Sequence, residues 1–141
     1  MKKNVRLTIT GIQSGFGPED RTEQITTAEY YNNKGRQYLF YTEYTEEGTA
    51  VRCRLTIEPG RVELKKTGNG ESVLIFSKRG MQRCSYQSPA GPLELLSDTH
   101  RIEILSDEDC LTVYLEYSLF LHGEPVSDYR LTIKAQALMY A

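Results

Sequence analysis

The sequence predicts an all-β protein, an antiparallel up-and-down meander of about eight to ten strands that closes into a barrel. Three observations carry this. Nearly every segment alternates apolar and polar residues with period two, from Leu7-Thr8-Ile9-Thr10 onwards. Turn signals recur about every 8–12 residues, the spacing of sandwiches and barrels. No segment of useful length carries the helical period. Ten tyrosines and no tryptophan fit the same class, because Tyr favours strands and half-buried surfaces.

The elements follow in order. Leu7-Thr8-Ile9-Thr10 reads as a first strand and Gly15-Phe16-Gly17-Pro18-Glu19-Asp20 as a loop. A second strand covers 23–32 and ends in Asn33-Lys34-Gly35. Its loop begins at Asn33 or at Lys34, and the two choices bury different tyrosines. Register matters here, since a one-residue slip flips every side chain to the other face.

A two-residue loop at Glu47-Gly48 puts Tyr44 opposite Val51, Thr42 opposite Cys53, Phe40 opposite Leu55 and Tyr38 opposite Ile57. The other face then pairs Glu43 with Arg52 and Tyr41 with Arg54. A two-residue loop at Pro59-Gly60 continues the apolar face, with Ile57 opposite Val62 and Leu55 opposite Leu64; outside, Thr56 meets Glu63 and Arg54 meets Lys65. Gly68-Asn69-Gly70, taken as a three-residue loop, sets Lys66 opposite Ser72. Ser88-Pro89-Ala90-Gly91 marks another turn and Asp107-Glu108-Asp109 another loop. Last, a three-residue loop at His122-Gly123-Glu124 pairs Tyr117 with Tyr129, Leu115 with Leu131, Val113 with Ile133 and Leu111 with Ala135. Outside, it sets Glu116 opposite Arg130, a favourable cross-strand pair.

Strands joined by hairpins, each with one apolar face, hide those faces together in a closed barrel, which also removes exposed edges. About ten strands make a ring wider than the eight-strand kind that side chains just fill, so an internal cavity is expected if all join one ring. A flattened barrel or two-sheet sandwich is the alternative. Without linker, repeat or low-complexity tract, residues 1–141 read as a single domain, long enough to bury a core unaided.

A net charge of −2 with 26% charged and 39% hydrophobic residues excludes a disordered chain. Met1-Lys2-Lys3-Asn4-Val5-Arg6 is as basic as the start of a signal peptide, but alternation follows it instead of an apolar run. No stretch approaches the roughly 20 apolar residues of a membrane helix, so no membrane partner is expected. Cys53, Cys84 and Cys110 are odd in number and widely spaced, as reduced thiols in the cytoplasm are.

Short motifs add a resemblance. They run Glu29-Tyr30-Tyr31, Tyr41-Thr42-Glu43, Val62-x-Leu64-x-Lys66-x-Gly68, Ser72-x-Leu74-x-Phe76, Tyr86-Gln87-Ser88-Pro89-Ala90-Gly91 and Leu115-Glu116-Tyr117-Ser118-Leu119. Their order, over most of the chain, resembles the YwiB-like family of bacterial proteins. The resemblance implies a calycin-like (lipocalin-like) β-barrel and a cytoplasmic bacterial setting, and it implies no established activity. Position 66 is Lys where the resemblance leads one to expect Arg, which removes the bidentate fork for an anion.

No residue set calls for catalysis, a metal or a cofactor. His100 and His122 are far apart in sequence, no two cysteines share ligand spacing, and Cys84-Ser85 lies in a strand without an adjacent base. The glycines at 11, 15 and 17 do not match a dinucleotide fingerprint. Two features remain. On the inner face, Lys66, Ser72, Cys53 and Thr42 form a polar rim to an apolar barrel, suited to a small apolar ligand with a polar or anionic head. Snorkelling of Lys66 to solvent is the plain alternative. On the outer face, Arg52, Arg54, Lys65 and Tyr41 offer a basic, partly aromatic surface for an anionic partner, RNA or protein. A solvated face balanced by Glu43 and Glu63 is the plain alternative there. The first reading is preferred, and the oligomeric state is not legible.

Overall fold

Alternating segments joined by tight turns pair most readily with their neighbours in sequence, and they do. The computed structural model describes residues 2–15 and 18–138; Met1, Phe16, Gly17, Met139, Tyr140 and Ala141 lie outside it, and with them the centre of the loop expected at 15–20. The strands are β1 (Lys2–Ser14), β2 (Asp20–Asn33), β3 (Arg36–Tyr44), β4 (Ala50–Glu58), β5 (Arg61–Thr67), β6 (Glu71–Ser77), β7 (Gln82–Ser88), β8 (Gly91–Ser106), β9 (Cys110–Leu121) and β10 (Glu124–Ala137). Each pairs antiparallel with the next, and β1 pairs with β10 to close the ring. Among the described residues there is no helix.

Three expected registers hold. Ile57 faces Val62 and Leu55 faces Leu64 across the Pro59-Gly60 turn, with Arg54 opposite Lys65 outside. Lys66 faces both Cys53 and Ser72. Tyr117 faces Tyr129 and Leu111 faces Ala135. The last turn differs in detail. It is a two-residue turn with His122 and Gly123 at φ 53 and 79, and a bulge between Pro125 and Ser127 restores the expected register. Glu116 does sit opposite Arg130, yet their ion pairs go elsewhere, to Arg101 and Glu19. At the second turn, Asn33 pairs with Arg36, so the loop is Lys34-Gly35 and Tyr30 points inward against Leu39.

One register is corrected. The β3–β4 connection is not a two-residue turn at Glu47-Gly48 but a loop over 45–49. Gly48 donates its N–H to the Thr45 carbonyl, and the Thr49 N–H is held by the Thr45 hydroxyl. The slip puts Leu39 opposite Leu55, Tyr41 opposite Cys53 and Glu43 opposite Val51, all facing in. Phe40, expected inside, is 41% exposed, whereas Leu55 is buried as expected. The cause is a β3 sequence with apolar residues on both faces, for which the hydrophobic pattern alone does not choose.

The expected internal cavity is replaced across the middle of the ring by side chains. Phe76 from β6 lies 4.3 Å (centroid to centroid) from Tyr117 of β9, which stacks on Tyr129 of β10 at 5.1 Å. Leu7, Leu39, Leu55, Ile57, Val62, Val113, Leu115 and Ile133 fill the space around this column, almost without exposure. A ten-stranded ring is thus filled by large side chains reaching across it.

Two seams interrupt the wall. Between β6 and β7 only Val73 and Ser85 pair. There the Ile75 N–H bonds to the Cys84 sulfur at 3.2 Å, and the Ser97 hydroxyl from β8 donates to the Ile75 carbonyl at 2.5 Å, so side chains stand in for the missing rungs. Between β2 and β3 the ladder runs only from Glu29–Phe40 to Asn33–Arg36. Beyond Glu29 the two strands part.

Candidate functional site

The parting of β2 from β3 opens a groove of about 830 Å³ in the barrel wall. Because residues alternate across a strand, the groove is lined from both faces. Asn4, Thr27, Glu29, Tyr31, Phe40, Thr42, Tyr44 and Arg52 supply its outer side, and Thr26, Ala28, Tyr41 and Cys53 its inner side. Its volume lies within the range of small-molecule sites, about 300–1,000 Å³. Four aromatic rings, Tyr31, Tyr38, Phe40 and Tyr44, stand at or near its rim. Tyr38 lies 6.1 Å from both Tyr31 and Phe40, nearly parallel to the latter, so an aromatic row crosses the outer face beside the opening.

The slip in β3 redistributes the expected site residues. Thr42 points outward instead of joining the inner rim, and Tyr41 is buried inside instead of standing beside Arg54 on the surface. Both line the groove, together with Cys53 from the inner set and Arg52 from the outer one. Lys66 and Ser72 keep their inner positions but lie off the groove, as do Arg54 and Lys65 on the outer face. Phe40, Tyr44 and Tyr31 are groove residues that the sequence reading did not select. Exposed aromatics clustered on the outer positions of β2 and β3 were the signal available, once the register was right.

Charges around the opening are unevenly matched. Lys66 donates to both carboxylate oxygens of Glu43, at 3.0 and 3.1 Å, so its ammonium is neutralised within the barrel end. Glu43 reaches it because the slip turned it inward. Outside, Arg54 pairs with Glu63 at 3.5 Å and Lys65 with Glu71 at 4.0 Å, which relieves the like-charge contact between Arg54 and Lys65. Arg52 is exposed, and among the described residues it makes no ion pair. Cys53 lies under it on the inner side. Burial pushes its thiol up to about 11, with the Glu43 carboxylate adding to the rise and the Lys66 ammonium opposing it. Burial likewise raises the neighbouring Tyr41 hydroxyl, with Cys53 and Glu43 contributing. Near neutral pH both stay protonated, so Cys53 is a weak polar lining group and not a thiolate nucleophile.

The Lys66–Glu43 pair gives a first prediction. Its side chains retain 33% and 25% exposure, so it is partly hydrated. Breaking a fully buried pair costs about 3–5 kcal/mol and an exposed one about 0–1 kcal/mol. Lys66→Met should therefore lower unfolding free energy by about 1–2 kcal/mol, because Glu43 loses its partner. Adding Glu43→Leu should recover most of that loss. Urea unfolding of the two variants and the wild type measures both numbers. A Lys66→Met protein as stable as the wild type would show that the pair contributes nothing.

A sequence model of a family described as "Domain of unknown function (DUF1934)" matches residues 7–133. The crystal structure of the ywiB protein from Bacillus subtilis superposes with a TM-score of 0.86, covering 98% of this chain and 94% of that one at 21% identity. At that identity the likeness is one of fold. Curated proteins show no significant match to the sequence.

Proposed function

We propose, from the premise that the chain belongs to the DUF1934 family, that it is a non-enzymatic binding module whose site is the groove between β2 and β3. Its ligand has a largely apolar body, laid against Phe40, Tyr44 and Tyr31, and an anionic head held by Arg52. The observation that carries this reading is the coincidence of the open groove with Arg52, a cation left without an acidic partner among the described residues. The head belongs to Arg52 in preference to Lys66, whose charge Glu43 already meets. The middle of the barrel is filled, so the ligand enters the wall and not the core. On this reading the site lies at a seam of the barrel wall, away from the interior where the sequence had suggested it. Three free thiols suit a reducing, cytoplasmic compartment, and among the described residues no helix is long and apolar enough to cross a membrane.

A second reading keeps one observation of its own. Arg52, Arg54 and Lys65 do face outward, and the row Tyr31, Tyr38 and Phe40 takes the place beside them that Tyr41 was expected to fill. Such a face suits a polyanion, but two of its three cations are matched by Glu63 and Glu71.

Native mass spectrometry of the protein purified from its own host separates the readings. A retained mass is expected on the wild type and should be lost from Arg52→Gln, since a charge-assisted hydrogen bond is worth about 1.5–3 kcal/mol, tenfold or more in affinity. The Arg54→Ser/Lys65→Ser protein should keep it. Loss in the double variant with retention in Arg52→Gln would transfer the site to the outer basic face.

A further inference from the structure

The seam has unused hydrogen-bonding capacity as well as space. β2 pairs with β1 from Gln13–Asp20 to Lys2–Tyr31, whereas β3 covers it only from Glu29 onwards. On the β3 side, residues 20–28 therefore present an unpartnered strand edge, and across the gap residues 41–44 of β3 present another to β2. Among the described residues, no hydrogen bond beyond the β1–β2 ladder reaches the backbone of 20–28. In an antiparallel strand, alternate residues aim both N–H and C=O to the same side, so the free edge is a row of donor and acceptor pairs.

Barrels ordinarily abolish such edges, and sheets that keep one blunt it with Lys, Pro or a bulge. Residues 20–28 contain no Lys or Pro, and their ladder with β1 runs without a bulge. The charges on this edge, Asp20, Arg21 and Glu23, lie at one end; the stretch 24–28 that approaches the groove has none, and Ile25 there is 62% exposed. Open edge, groove and free cation converge: Thr26, Thr27 and Ala28 line the same space as Arg52.

We infer that the occupant of the groove is a short extended peptide, added to the wall as a strand antiparallel to β2, with a carboxylate on Arg52. This rests on the groove being the site, as proposed above, and it names the chemical class of the ligand. Backbone pairing with 20–28 supplies the affinity, as in other strand-addition complexes. Apolar side chains on one face of the peptide meet Phe40 and Tyr44, and those on the other face meet Ala28 and Tyr41. A polypeptide is the ligand that suits an unpaired strand edge, because it alone repeats donor and acceptor at the strand spacing. The carboxylate comes from an acidic side chain or from a free C-terminus.

The test pans two displayed libraries of random heptapeptides against the intact protein, one with free C-termini and one fused at the C-terminus. Enrichment of apolar sequences carrying a carboxylate is expected, and the library that yields them tells which carboxylate is used. The best synthetic peptide should slow amide hydrogen exchange within 20–28 at least tenfold at saturation. N-methylation of alternate backbone amides should weaken it at least tenfold in one register and little in the other, and Arg52→Gln should weaken it about tenfold. No enrichment, or enriched peptides that leave exchange at 20–28 unchanged, overturns the inference. A non-peptidic mass retained from the host and released by Arg52→Gln would leave the binding reading standing while this one falls. Absence of both a retained mass and an enriched peptide takes down both.

Discussion

Phe76→Ala should lower unfolding free energy by about 3–5 kcal/mol, a large share of the total for a domain of this size. The ring is 1% exposed and is the β6 end of the column that runs through Tyr117 to Tyr129. Removing it leaves a cavity that the wall closes only in part, since the full ladder of β6 with β5 and that of β9 with β10 hold those strands in place. Location adds to the effect. β6 is tied to β7 by a single rung, so packing across the barrel holds this wall where backbone hydrogen bonds do not. Phe76→Leu keeps most of the volume and should cost about 1 kcal/mol. Denaturant midpoints for both variants, with amide exchange over β6 and β7, provide the measurement. A Phe76→Ala loss below about 1 kcal/mol would mean that the column does not support the wall.

Gly68→Ala should be the next most damaging change, at about 3 kcal/mol. Gly68 sits at φ 121 in the β5–β6 turn, and an added Cβ would lie 2.4 Å from the Ala50 carbonyl oxygen. That neighbour is backbone at the start of β4, which cannot swing aside as a side chain can. Gly60 gives the control. It also has a positive φ, 73, but an added Cβ there meets nothing, so Gly60→Ala carries only the conformational cost of about 1 kcal/mol. Thermal unfolding of the two proteins tests the difference. Equal losses would remove the close approach of the β5–β6 turn to β4 as a source of stability.

What was legible follows from how one-sided each strand is. β9 from Leu111 to Tyr117 and β10 from Tyr129 to Ala135 keep their Leu, Val and Ile on one face, so Tyr117 found Tyr129; on β4 to β6 the turn chemistry set Lys66 opposite both Cys53 and Ser72. β3 offers Leu39 and Tyr41 to one face and Tyr38, Phe40 and Tyr44 to the other. Its register was settled by the hydrogen bonds of Thr45 and by the burial of Leu39, neither of which period two reveals. The single slip moved two of the expected site residues, turning Thr42 out and Tyr41 in, and with them it turned Phe40 out and Glu43 in. Glu43 then took the charge of Lys66, on which the preferred site had centred. The groove itself was hidden for a different reason. Gln24-Ile25-Thr26-Thr27-Ala28 reads as an ordinary strand segment, and nothing in its residues marks Glu29 as the last rung.

The strand order sets how the chain reaches this structure. Every neighbouring pair but one is a hairpin, whose ends meet across a few residues. The exception is β1 against β10, where Val5 must find Ala137 from the far end of the chain. Loop closure costs grow only as the logarithm of the separation, so hairpins zipping in sequence shorten the remaining search before the last ladder forms. Terminal pairing is then the late and slow event, and the large sequence separation of these contacts puts the protein among the slower folders of its size. Until it closes, β1 and β10 are both open edges, and this is the interval in which the chain is most exposed to pairing with another copy of itself.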